Sequence, residues 1–122
     1  MSVVVQRSDV AGDGLFAAED LPVGFKLRHE GVYKKATDCT VAELDYAANV
    51  GCGVYIVGCG LASKINDAYG TSHTYNCTWE VEGSGVFADL YVVCCRVVRR
   101  GEELFIDYGA AYWERHLKKS DA

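Results

Sequence analysis

Three short segments hold residues whose types and spacing could do chemistry. They are Gly12-Asp13-Gly14, the asparagine pair Asn66 and Asn76, and Asp107-Tyr108-Gly109. Glycine lets the backbone approach a ligand closely, and an asparagine amide both donates and accepts hydrogen bonds. Tyrosine combines an apolar ring with a hydroxyl that can be directed at a reacting atom. Taken singly, these segments also fit a hairpin turn, a polar loop and a core aromatic at a strand end.

In this order, the segments resemble the SET domain of protein-lysine methyltransferases, in particular compact stand-alone proteins of the viral type. The motifs that carry the resemblance are Gly12-Asp13-Gly14 before Leu15-Phe16-Ala17, Ile65-Asn66-Asp67 with the later Tyr75-Asn76-Cys77, and Gly101-Glu102-Glu103-Leu104-Phe105-Ile106-Asp107-Tyr108-Gly109. The third is the most specific. The likeness runs from about Val3 to Trp113. It implies a single SET domain over residues 1–122, with a core at about 3–113 and a C-terminal helix at about 110–119.

The resemblance implies a mainly β fold with short helices. The arrangement would be β-clip-like, with several small sheets and a threaded, knot-like C-terminal segment. It also implies methyl transfer from S-adenosylmethionine to a lysine side chain, with S-adenosylhomocysteine as the product. The reacting amine must be neutral, whereas a free lysine has a pKa near ~10.4. A narrow aromatic channel and a nearby sulfonium charge would both lower that pKa.

By the same resemblance, Tyr108 is the catalytic residue, whose hydroxyl would orient the amine. The loop Gly12-Asp13-Gly14 would hold the amino-acid end of the cofactor. Asn66 and Asp67 would contact the cofactor too, although in isolation they fit a polar surface loop with Asn as a helix stop. Trp113 fits a position over the adenine and a position in the core equally well.

Three further residues would form the lysine channel. Tyr46 would be a wall and Tyr112 would help to close it, and both also suit a core or helix face. Ile106 stands where many relatives carry Phe or Tyr, a position that limits how many methyl groups are added. Isoleucine brings no hydroxyl there, so we expect di- or trimethylation to be sterically allowed.

Departures from the family pattern leave a second function open. Asp13 stands where a larger aromatic or basic residue is frequent, Asp67 replaces a histidine, and residues 68–75 are an insertion before Asn76. The alternative is a catalytically degenerate SET module that binds peptide or cofactor without turnover, although the intact Asp107-Tyr108-Gly109 favours the enzyme. A third hypothesis is an unrelated small β-rich interaction domain with coincidental motifs.

Local patterns predict the elements that would position these residues. Thr40 with Glu43 three residues later is a capping-box pattern, which predicts a short helix that ends near Tyr46. Leu61 to Ile65 could form one helical turn before the polar loop. Alternating and β-branched runs with glycine turns predict strands at Val3–Arg7, Phe25–His29, Gly51–Gly58, Cys77–Glu82 and Val86–Val98.

Composition describes one acidic domain. Over 122 residues, Lys+Arg 12 against Asp+Glu 17 gives a formal net charge of −5. This balance argues against direct nucleic-acid binding and fits a basic peptide such as a histone tail, although many acidic surfaces serve solubility alone. No apolar run suits a membrane span or a signal peptide. We therefore expect an intracellular protein, nuclear if its substrate is a histone and otherwise cytoplasmic. Stand-alone SET proteins of this size can be dimers, so the resemblance is also compatible with a homodimer.

The cysteines predict neither zinc nor disulfides. The chain has 6 Cys with no C-x-x-C pair, and its histidines, His29, His73 and His116, are scattered. Zinc sites need clustered thiolates or imidazoles, so no metal is expected. Without a secretory signal, we expect reduced and buried thiols.

Overall fold

The described structure contains eight short strands in three antiparallel sheets. The computed structural model describes residues 2–108, and at Asp45 and Tyr46 the backbone alone. The strands are β1 (Val3–Arg7), β2 (Asp13–Ala17), β3 (Lys26–Arg28), β4 (Gly31–Lys35), β5 (Ala48–Asn49), β6 (Val54–Gly58), β7 (Cys77–Glu82) and β8 (Asp89–Cys94). The sheet orders are β1-β2, β3-β8-β7 and β4-β6-β5. The predicted mainly β fold of several small sheets is confirmed.

The helical elements are short. They are the helix α1 (Val41–Tyr46) and the 3-10 turns Ala36–Asp38, Leu61–Lys64 and Gly85–Phe87. The capping box that begins α1 is present: Thr40 Oγ1 accepts from Glu43 N at 3.1 Å and Glu43 Oε1 from Thr40 N at 2.9 Å. Lys34 Nζ donates to Glu43 Oε2 at 2.8 Å, which fixes α1 against β4. Among the described helices, none is long and apolar enough to cross a membrane.

The single strand predicted at Val86–Val98 is wrong. The chain first makes the turn Gly85–Phe87, then forms β8, and Val98 makes a separate bridge with Leu21. Two glycines with positive φ, Gly83 (+78°) and Gly85 (+59°), allow this tight reversal. Strand β4 was not predicted, because its two lysines weaken the apolar alternation that reveals a strand.

The described core has a main cluster and a smaller one. The smaller cluster lies under β6 and contains Val50, Val54, Ile56, Ala88 and Leu90. The main cluster joins elements from the whole described chain. Its members are Val3, Leu15, Ala17, Leu21, Ala62, Ile65, Cys77, Val92, Cys94, Val98, Leu104 and Ile106. Because Leu104 and Ile106 are in this cluster, the end of the described chain is part of its centre.

Residues 102–108, which we call the threaded segment, run between two earlier parts of the chain. On one side lies β2, where Leu104 N donates to Leu15 O at 2.8 Å. On the other side, Ile106 N donates to Asn66 O at 3.0 Å. The segment is thus enclosed by backbone on both sides, which is the threaded, knot-like arrangement that the resemblance implied.

Asn76 completes this enclosure with its side chain. Its Nδ2 donates to Glu103 O at 2.9 Å, and its Oδ1 accepts from Phe105 N at 2.8 Å. The side chain therefore bonds the threaded segment as a neighbouring strand would. With an exposed fraction of 2%, Asn76 makes these bonds away from water.

The expectation of buried thiols is confirmed for only two cysteines. All six are free, but Cys77 and Cys94 alone are buried. Cys77 and Cys94 face each other in the β7–β8 ladder. The remaining thiols are exposed (Cys52, Cys59, Cys95) or half-buried (Cys39).

Candidate functional site

Tyr108 is held at both ends by the chain at residues 65–67. Its hydroxyl donates a short hydrogen bond to Ile65 O, and its backbone N donates to Asp67 Oδ2 at 2.7 Å. The half-buried ring packs against the main core cluster. The second and third sequence motifs are therefore in direct contact at the predicted catalytic residue.

Asn66 brings the first motif to the same place. Its Nδ2 lies 3.0 Å from Ala11 O, in the loop between β1 and β2, and 3.2 Å from Asp13 O, at the start of β2. A third acceptor, Glu103 Oε2, lies at 3.0 Å. One amide group thus ties the glycine loop to the threaded segment.

Gly14 has a structural reason to be glycine. A Cβ at this position would lie 2.3 Å from Glu103 Oε2, so the Glu103 carboxylate would have to shift. The Glu103 carboxylate is held there by Ser8 Oγ, at 2.8 and 2.9 Å from its two oxygens. Gly14 therefore makes room for Glu103, a residue that sequence reasoning left without a role.

Gly12 differs from Gly14 in its surroundings. Its φ is +44°, and no described atom lies within 4 Å of a Cβ built there. Among residues 2–108, the loop is thus uncovered at Gly12 and packed against Glu103 at Gly14. A cofactor role for Gly12, Asp13 and Gly14 stays a prediction.

Asp67 is buried and accepts three hydrogen bonds from described residues. Its Oδ1 accepts from Tyr69 N at 2.8 Å and from the Tyr75 hydroxyl at 2.5 Å, while Oδ2 accepts from Tyr108 N. Its exposed fraction is 4%. Burial and the bond to Asp67 raise the pKa of Tyr75, so this phenol stays a donor. The sequence analysis missed Tyr75, and its place in an inserted loop gave no signal of this contact.

The inserted residues 68–75 fold back on the threaded segment. The His73 ring stacks on Phe105, with centroids 5.0 Å apart and planes at 26°. Arg96 Nη2 donates to Thr74 Oγ1 at 2.6 Å. Between these groups lies a cavity of about 460 Å³. Residues 69–75 are exposed, so the predicted polar surface loop is present, with its buried ends at Ala68 and Asn76.

The predicted channel residues and Trp113 differ in how far the structure describes them. Ile106 is 1% exposed and lies in the main core cluster, so its channel role stays a prediction. Tyr46 is the last residue of α1, and its side chain is not described. Tyr112 and Trp113, like the predicted helix at 110–119, lie outside the described residues. Within residues 2–108, no three His, Cys, Asp or Glu side chains converge on a metal site; the absence of zinc stays a prediction.

Solved structures share this fold, although no protein-family model and no curated protein matches the chain. A proposed histone methyltransferase of Plasmodium falciparum superposes with a TM-score of 0.74 at 17% identity, covering 92% of this chain and 96% of that chain. A humanized mutant of the Chaetomium thermophilum Polycomb Repressive Complex 2, bound to an inhibitor, gives 0.74 at 23% identity. The same complex, ctPRC2, in an autoinhibited conformation bound to S-adenosylmethionine gives 0.71 at 19% identity.

The coverage of these matches is uneven. The chain spans almost the whole Plasmodium protein. The match to the inhibitor-bound Polycomb structure covers 88% of this chain but only 15% of the Polycomb chain. The match to the autoinhibited structure covers 98% of this chain and 17% of the Polycomb chain. At these identities the likeness establishes the fold and leaves activity, substrate and partners to experiment. It confirms, at the level of fold, the SET-domain resemblance of the sequence.

Proposed function

We propose that this chain, whose fold is that of a SET domain, is an S-adenosylmethionine-dependent protein-lysine N-methyltransferase. Its substrate would be a basic peptide, with a histone tail as the first candidate. One observation carries the proposal: Tyr108, at the end of the threaded segment, has its hydroxyl fixed on Ile65 O. Asn66, the next residue, holds the glycine loop. The three motifs thus converge on one potential reaction centre.

The orientation of the Tyr108 hydroxyl suits this chemistry. Its proton points at Ile65 O, so the lone pairs of the phenol oxygen face away from that bond. Those lone pairs could accept an N–H of a substrate amine and align its nitrogen. Because the hydroxyl is already positioned, little reorganisation would be needed when the amine arrives.

The residues present fit S-adenosylmethionine through the backbone more than through side chains. The bound cofactor would supply the reactive methyl group of its sulfonium. Gly12 leaves open space at the glycine loop. In contrast, the Asn66 amide and the Asp67 carboxylate already make internal hydrogen bonds. Cofactor contacts at Asn66 and Asp67 would therefore come from their main-chain groups.

Two further observations support the cofactor and the substrate class. One matched structure, ctPRC2, is described as bound to S-adenosylmethionine. The net charge of −5 favours Lys/Arg-rich peptides over nucleic acid. If a histone is the substrate, a nuclear location would follow.

The decisive experiment is transfer of a labelled methyl group to mixed core histones, with cofactor affinity measured by calorimetry. We expect cofactor binding and label on a histone lysine. Binding without transfer to histones or other basic proteins would favour the alternative, a SET module that has lost turnover. An absence of both would refute the proposal.

The methylation state of the product tests the role of Ile106. Isoleucine has no hydroxyl with which to hold water in the channel, so we expect dimethyl and trimethyl lysine to accumulate. Mass spectrometry of the product peptide after long incubation measures this directly. A product that stops at monomethyl lysine would contradict the prediction.

A further inference from the structure

We infer that Asp67 is a positioning residue for Tyr108, and that Tyr75 from the inserted loop holds the Asp67 carboxylate in place. The inference rests on the proposed methyl transfer. It gives a function to the aspartate that replaces the family's histidine and to the insertion that follows it.

The Asp67 carboxylate has the contacts that such a role requires. Two backbone donors, Tyr69 N and Tyr108 N, and one phenol, Tyr75 Oη, point at its two oxygens at 2.5–2.8 Å. Hydrogen bonds to an ionised carboxylate are shorter and stronger than neutral ones. Three of them in a buried place fix the side chain in one orientation.

This fixed carboxylate acts on Tyr108 together with Ile65. Asp67 holds the backbone of Tyr108, and Ile65 O, two residues earlier, holds its hydroxyl. A displacement of residues 65–67 would therefore move both ends of Tyr108. Since a misplacement of about 1 Å can slow a reaction by about 100-fold, this double attachment would matter for turnover.

Tyr75 links the inserted loop to the same group. Its hydroxyl reaches Asp67 Oδ1 at 2.5 Å, although Tyr75 as a residue is 37% exposed. Because this phenol stays protonated, it donates throughout the neutral pH range. Replacing Tyr75 with Phe removes one hydrogen bond and leaves the carboxylate, its charge and the ring in place.

Two variants and one control test the inference. In Tyr75→Phe we expect kcat to fall about tenfold, and in Asp67→Asn by more, with cofactor Kd changed less than about twofold in both. The control is Tyr33→Phe, which also loses a phenol hydrogen bond, from Tyr33 Oη to Ala88 O at 2.6 Å, but at the second core cluster. The Tyr33→Phe variant should change in stability, while its kcat and cofactor Kd stay at the wild-type values. If Asp67→Asn does not fold, the inference is tested by comparing the kcat of Tyr75→Phe with that of Tyr33→Phe.

Hydrogen exchange of the Tyr108 amide gives a readout that needs no turnover. Loss of the Asp67 acceptor should speed this exchange at least about tenfold in Asp67→Asn, with a smaller rise in Tyr75→Phe. Unchanged exchange and unchanged kcat in the variants would overturn the inference. Weakened cofactor binding with kcat retained would also overturn it and make Asp67 a cofactor ligand. A wild-type protein without turnover would refute the proposed function, while the exchange data would still decide whether Asp67 holds Tyr108.

Discussion

The Tyr108 hydroxyl has a structural role in its bond to Ile65 O, and the proposed function gives it a chemical role as well. In Tyr108→Phe we expect kcat to fall at least about tenfold, the effect of losing a positioned hydroxyl, with cofactor affinity retained. Loss of the bond to Ile65 O should cost about 0.5–1.5 kcal/mol of stability. Turnover and denaturation of the purified variant measure the two effects separately. Undiminished turnover would refute the catalytic role.

His29 should make stability depend on pH. It is buried at 7% exposure, and burial lowers its pKa below the ordinary 6.5. Gly58 makes room for its ring, since a Cβ there would lie 2.6 Å from two ring atoms. The unfolded chain therefore binds a proton near pH 6.5, whereas the folded chain resists it until lower pH. Stability contributed by neutral His29 is complete above about pH 6.5 and is lost as pH falls towards the folded pKa.

Urea unfolding at about pH 7.5 and 5.5 tests this contribution, with His29→Phe as the comparison. Phenylalanine keeps an aromatic ring beside Trp79, whose ring centroid lies 5.5 Å from that of His29. We expect a smaller loss of unfolding free energy on acidification in the variant. An equal loss of unfolding free energy in the wild type and in His29→Phe would show that groups other than His29 cause the pH dependence.

At the scale of elements, Asn76 takes the place of a missing strand beside the threaded segment. Asn76→Ala would leave the buried Phe105 N without this partner, at a cost of about 1–3 kcal/mol, and would also remove the donor to the part-buried Glu103 O. The matched control is Asn49→Ala, which removes an exposed bond from Gly51 N. The urea midpoints of both variants measure their loss of stability. An equal loss of stability in the two variants would contradict the bridging role of Asn76.

Elements with a local cause could be predicted from the sequence, and those with a distant cause could not. Thr40 and Glu43 are three residues apart, so their capping box was visible. The division of Val86–Val98 depends on the turn at Gly85 and on the pairing of Val98 with Leu21, which lies far away in the chain.

The same rule holds for the candidate site. Its motifs were recognisable from their order, and Tyr108, Asn66 and the glycine loop do converge. The partners of Asp67 and Glu103 were not predictable. The donors Ser8 and Tyr108 reach them only through the threaded arrangement, and Tyr75 reaches Asp67 through the fold of the inserted loop.

At the scale of the whole molecule, the acidic balance should govern substrate binding. Opposite charges attract each other within a Debye length, which is about 10 Å at 0.1 M salt and becomes shorter at higher salt. We expect kcat/KM for a histone-tail peptide to fall about threefold or more between about 0.05 and 0.5 M NaCl, with kcat little changed. A peptide whose flanking Lys and Arg are replaced by Gln is the control. A salt effect of equal size on both peptides would count against charge recognition.

The threaded segment also determines when during synthesis the site can form. The hairpins β1–β2 and β7–β8 have local partners, so they can pair as soon as their own residues leave the ribosome. Residues 102–108 instead need partners far back in the chain, as in the contact between Ser8 and Glu103 across 95 positions. Such distant contacts carry the loop-closure cost that slows folding. A nascent chain can therefore hold finished hairpins, while the candidate site cannot form until Tyr108 has emerged and the segment has docked.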